Sequence, residues 1–144
     1  MTKTLRHLFV HFLLVLPIIF FFPAENKIPL LGVAILGGYF PDLDHLFDYF
    51  LFTKKAKFEL STFLEANYFA SNGKVYVLLH SWEIIALLWI FFIFLKPAWI
   101  GLAFTAGYTI HVLFDQYSYP IHHLGYFLLY RLINHFDKKR VCLD

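Results

Sequence analysis

The chain has 144 residues, of which 60% are hydrophobic, 22% aromatic and 15% charged, with a formal net charge of +2. That is one domain's length and too apolar for an ordinary soluble core, so the composition places the protein in a bilayer as a single membrane-embedded domain, residues 1–144. The lone cysteine, Cys142, excludes a disulfide framework and a thiolate metal cluster, and basic residues in short clusters exclude nucleic acid as a partner.

The first apolar run, residues 8–22, follows Lys3 and Arg6 and superficially resembles a secretory signal. It ends in Phe20-Phe21-Phe22-Pro23 without a small-x-small cleavage site and carries His11 in its first turns, so it reads as a retained transmembrane helix. The second, residues 28–40, is short, and a kink at Pro41 can extend it to residue 52. Residues 53–74 form a polar loop holding Lys54, Lys55, Lys57, Glu59 and Glu65, with one amphipathic turn or helix. Residues 75–95 and 98–115 are closer to the roughly 20 residues a spanning helix needs, with Lys96-Pro97 as the turn between them. Pro120 then opens an interfacial helix over residues 121–136. The expected class is all-α: an integral membrane four-helix bundle with a C-terminal interfacial helix.

Lys and Arg fall mainly on one side of this arrangement, with only Lys27 and Lys96 opposite, which puts both termini in the cytoplasm and the chain in the bacterial inner membrane as a multi-pass protein.

Four polar islands interrupt the apolar sequence: His11, Asp42-Leu43-Asp44-His45, His80-Ser81-Trp82-Glu83, and His111 with Asp115. Each mid-membrane carboxylate costs about 2.5 to 3.5 kcal/mol, and a shared divalent cation offsets several at once. The topology places all four islands at the cytoplasmic end of the bundle. His111 and Asp115 are spaced i, i+4, whereas His80 with Glu83 and Asp42 with His45 are spaced i, i+3, so each pair shares a helix face. The candidate metal ligands are therefore His11, Asp42, Asp44, His45, His80, Glu83, His111 and Asp115. Asp42 or Glu83 is the candidate bridging ligand or general base. Imidazole with carboxylate suits zinc first, then manganese or iron. His7, His122, His123 and His135 read as interfacial or surface residues, and Asp48 as solvated or as support behind the ligands.

Gly37-Gly38 followed by Pro41-Asp42-Leu43-Asp44-His45, the upstream His11, the His80-Ser81 pair and the His111-x-x-x-Asp115 helix together resemble the bacterial membrane-bound metal-dependent hydrolases of the LexA-regulated inner-membrane type. The resemblance spans most of residues 7–118. It implies a divalent metal site hydrolysing a phosphoester, and its location at the headgroup level points to a phospholipid or lipid-linked substrate, with membrane lipids as partners. Where the family carries a further His-Arg pair ahead of His-Ser, this chain has Val75 and Tyr76, and Glu83 is the residue available as a substitute ligand. A metal-binding membrane protein without chemistry, in which the ion is structural or regulatory, shares the same ligands. A transporter does not fit, because residues 17–22 and 84–95 offer no polar path through the outer leaflet.

Overall fold

A computed structural model describes residues 3–53, 57–65, 68, 70–94 and 99–143. Lys54, Lys55 and the expected Lys96-Pro97 turn lie outside the described residues.

The chain is helical, as expected, and among the described residues extended pairing is limited to two isolated bridges, Lys74 with Asp137 and Ile121 with Cys142. Helix α1, Lys3–Val15, tightens into a 3-10 segment at Leu16–Phe21. Pro17 lies at its start and has no N–H to continue the α ladder. Helix α2, Lys27–Tyr39, accepts Pro29 in its first turn, where the missing N–H has no helical partner to lose.

Residues 28–52 do not form one kinked helix. Pro41 cannot donate to the carbonyl one turn back, and the chain crosses residues 40–45 on tighter bonds: Asp42 N–H to Tyr39, Leu43 to Phe40, Asp44 to Pro41 and His45 to Asp42. A separate helix α3, Leu43–Thr53, follows. It is amphipathic in reverse: Asp44, Asp48 and Tyr49 are buried, while Leu43, Leu46, Phe47, Phe50 and Leu51 form an exposed stripe. Asp48 is thus enclosed, correcting the solvated reading. A short helix α4, Leu60–Glu65, lies in the expected polar loop and is tied to α1 by Thr4 Oγ1 donating to Leu64 O at 2.7 Å.

The expected helix 75–95 loses its first turns. Val75 N–H pairs with Phe136 O at 2.9 Å and Val77 adopts a left-handed φ of 31°, both incompatible with an α ladder. Helix α5 therefore begins at Trp82 and runs to Phe94. His80 sits on a turn ahead of it, not inside it. Helix α6, Trp99–Ser118, is the central element. The expected interfacial helix 121–136 is also broken. A 3-10 turn at His123–Tyr126 leads through extended Phe127 to helix α7, Leu128–Ile133, and left-handed His135 and Phe136 precede helix α8, Lys138–Val141.

Helices α2 and α6 pack closely. A Cβ added to Gly107 would overlap the Ala34 carbonyl, and one added to Gly37 would overlap the backbone of Phe104. Ala34 and Ala103 are fully buried in the core at this seam, with Val15, Ile18 and Leu30. Small residues at four-residue spacing let two backbones approach in the manner used by helices in lipid. Ile85, Tyr108, Val112 and Tyr126 form a second core that seats α5 against α6. Among the described residues, one helical stretch, Thr4–Phe21, is long and apolar enough by length and composition to cross a membrane; Trp82–Phe94 is apolar but shorter.

Candidate metal centre

The close α2–α6 seam sets the first candidate ligand. Gly38, at the α2 end of the seam, presents its carbonyl 2.6 Å from His111 Nδ1 on α6. A backbone carbonyl only accepts, so Nδ1 carries a proton and Nε2 is the ring atom turned toward the cluster. One turn on, Asp115 points to the same side, and both residues are buried.

His80 is oriented by the same device with a different acceptor. Its Nδ1 lies 3.1 Å from Asp44 Oδ2, which also accepts the Leu79 N–H at 2.9 Å. His80 Nε2 is thereby turned toward His111 Nε2, 3.2 Å away. Asp115 Oδ2 is 3.3 Å from His80 Nε2 and 3.3 Å from His111 Nε2. These three atoms thus form a nearly equilateral triangle. Metal–ligand bonds of 2.0 to 2.1 Å in a tetrahedron require ligand–ligand edges of about 3.3 to 3.4 Å, which this triangle matches.

Around it lies a further set of donors. Asp42 Oδ1 is 3.6 Å from His111 Nε2, 3.4 Å from His7 Nε2 and 3.7 Å from His45 Nε2. Both Asp42 oxygens are buried without a hydrogen-bond partner among the described residues. His11 Nε2 meets Asp115 Oδ1 at 3.0 Å, and its ring stacks on His111 with centroids 3.8 Å apart. His7, His11, His111 and Asp115 form one group able to hold an ion, and Asp42, His45 and His80 form an adjoining one.

Six of the eight candidate ligands thus converge: His11, Asp42, His45, His80, His111 and Asp115. Asp44 stands one step back, its Oδ2 holding His80. Glu83 is directed elsewhere. Its two oxygens accept the backbone N–H groups of Leu128 and Leu129 at 2.9 and 3.0 Å, so it caps the start of α7. That geometry corrects its expected role as ligand or base: with His80 off the helix, the i, i+3 spacing no longer brings the pair together.

Two residues that sequence reasoning missed complete the centre. His7 enters beside His11, and its Nδ1 is 2.9 Å from the Tyr119 hydroxyl. The i, i+4 spacing of His7 and His11 was the available signal. Arg131, expected at a lipid interface, is fully buried; it donates to Val77 O at 2.7 Å, to His80 O at 3.2 Å and to Ser81 Oγ. Burial draws its guanidinium down to about 10, opposed by the nearby charges of Asp44 and Glu83, so it stays cationic at neutral pH. Nothing in its local sequence distinguishes it from a headgroup contact. His122, His123 and His135 lie apart from the cluster: His122 Nδ1 accepts the Leu124 N–H, and His123 and His135 are exposed.

A cavity of about 490 Å³ opens directly on the cluster, with His7, Asp42, His45, His80 and Asp115 in its wall. Comparison with protein-family models, curated proteins and solved structures returned no match.

Proposed function

We propose that the protein is a metal-dependent hydrolase of the bacterial inner membrane, acting at the cytoplasmic face on a phosphoester, in keeping with the motif resemblance to the membrane-bound metal-dependent hydrolases. The observation that carries the reading is the triangle of His80 Nε2, His111 Nε2 and Asp115 Oδ2, with edges of 3.2, 3.3 and 3.3 Å. Each imidazole has its Nδ1 proton committed to another acceptor, so both Nε2 atoms and the Asp115 oxygen face one another at the spacing of a metal's ligands, with room for a proton or a cation among them. The donor set fits zinc first, then manganese or iron.

When bound, the ion supplies a Lewis acid for a phosphoryl oxygen and makes a water more acidic. The protein's own groups do the rest. Gly38 O and Asp44 hold the two imidazoles in their tautomers, and His11 holds Asp115 through Oδ1. Asp42, buried at the cavity wall without a hydrogen-bond donor, takes the proton of an attacking water as general base. A structural ion would favour a closed shell, whereas this cluster opens into a cavity, which favours catalysis over a purely structural or regulatory ion.

Support for the membrane location comes from the outward stripe of α3 and from exposed Phe20, Phe21, Ile28, Leu36, Leu87, Phe94 and Ile100, more apolar surface than water tolerates on a monomer. In this arrangement α1, α2, α5 and α6 form the bundle, both termini face the cytoplasm, and the cluster lies near the headgroups.

Elemental mass spectrometry of the purified protein, beside a His80→Ala, His111→Ala double variant, tests the reading. Stoichiometric zinc, manganese or iron in the wild type and its loss in the variant are expected, with metal-dependent turnover of a phosphodiester. Absence of metal from both after reconstitution would sink it.

A further inference from the structure

Resting on the hydrolase reading, we infer that the cavity over the cluster holds the hydrocarbon chain of the substrate, making the substrate a single-chain amphiphile with an anionic phosphoester head, drawn into the protein instead of being cut at the bilayer surface.

The cavity has two chemically distinct parts. One wall is the His and Asp cluster already described. The others are predominantly apolar: Leu8 of α1, Phe63 of α4, Tyr68, Val77, Ile121 and Leu143. At about 490 Å³ it falls in the range of sites that enclose a small organic ligand, and such sites pair broad apolar walls with a few convergent polar groups. A hydrolase of short soluble phosphates would have no use for so much apolar lining beside its ligands. Lys138 joins the lining, with Lys139 and Arg140 on its short helix, and gives an anionic head a cationic partner beside the Asp42 and Asp115 carboxylates that an ion in the cluster would neutralise.

Apart from Leu8 of α1, the apolar walls named come from segments outside the helical bundle. Pro120 O accepts the Leu143 N–H at 2.9 Å, and His122 N–H donates to Val141 O at 2.9 Å, so the C-terminal segment folds back to bring Ile121 and Leu143 together. Thr4 Oγ1 to Leu64 O anchors the α4 side. The fold thus places an apolar enclosure over the cluster, most of it from segments outside the bundle.

The test is calorimetric binding of decyl phosphate and ethyl phosphate to the full chain in lipid nanodiscs, with metal content measured on every sample. Decyl phosphate should bind at least about 100-fold more tightly than ethyl phosphate, since each buried methylene adds several-fold. Ile121→Trp, which fills the cavity, should weaken decyl phosphate at least about tenfold and leave ethyl phosphate within about twofold. Phe63→Ala, as a second and independent wall variant, should also narrow the ratio. These comparisons separate the cavity from simple partitioning into the bilayer. Full metal content with decyl phosphate unaffected by both variants would overturn the inference while leaving the hydrolase reading intact. Decyltrimethylammonium binding as tightly as decyl phosphate would also overturn it. A metal-free wild type that retains the chain-length ratio and its loss in Ile121→Trp would overturn the hydrolase reading and, with it, the phosphoester head, leaving only a chain-binding cavity.

Discussion

His80 Nε2 and His111 Nε2 lie 3.2 Å apart, although their Nδ1 atoms are engaged by Asp44 and by Gly38 O respectively. So oriented, the two Nε2 atoms face each other directly. The contact is favourable only with a proton or a cation between them, and the Asp115 oxygen 3.3 Å from both supplies the third atom of a set that a metal ion could share.

Removing the support behind a ligand should therefore weaken metal binding without abolishing it. Asp44→Asn keeps the shape and removes the charge behind His80. Metal affinity is expected to fall about 10- to 100-fold, measured by competition with a chromophoric chelator, whereas His111→Ala should lose the ion altogether.

Glu83 gives the opposite outcome. Glu83→Gln should retain full metal occupancy, because its carboxylate caps α7 and does not face the cluster. Thermal unfolding should register a loss of about 0.5 to 2 kcal/mol from the weakened cap. Loss of metal in this variant would restore Glu83 to the ligand set.

The α2–α6 seam predicts a contrast between two glycines. Gly107→Ala places a methyl against the Ala34 carbonyl and should cost about 1 to 3 kcal/mol, with metal lost in parallel as His111 shifts from Gly38 O. Gly32→Ala, whose added methyl meets nothing within 4 Å, should be neutral or stabilising by up to about 1 kcal/mol. Melting temperatures of the two variants in one detergent compare them directly.

Arg131→Met should destabilise by about 3 to 5 kcal/mol, since it leaves the carbonyls of Val77 and His80 and the Ser81 hydroxyl without their buried donor. Because those groups flank the His80 turn, the remaining folded protein should bind metal more weakly. Unchanged metal affinity in folded variant protein would show that the turn holds its shape without the guanidinium.

Acid should release the ion. Imidazole ligates only when neutral, so protons compete with the metal as pH falls. Occupancy measured across pH 8 to 5 should decline in that direction and recover on return to neutrality.

The sequence by itself determined the helical class and the chemistry available. Apolar periodicity is a local property, and ionisable residues in apolar segments stand out without reference to neighbours. His11, Asp42, His45, His80, His111 and Asp115 were legible for that reason, whereas the full separation of two helices at Pro41 was not, since a proline can equally kink one helix. Tertiary structure alone decided which of them touch. His11 and Asp115 are 104 residues apart in sequence and 3.0 Å apart in space. No local spacing could show that the pairing of Val75 with Phe136 pulls His80 off its helix, parting it from Glu83 and leaving Asp44 behind it. The same holds for His7 and Arg131, whose burial depends on segments folding back from the far end of the chain. Ligand type is written in side chains, but a coordination shell is a set of distances, and only the packed backbone sets those.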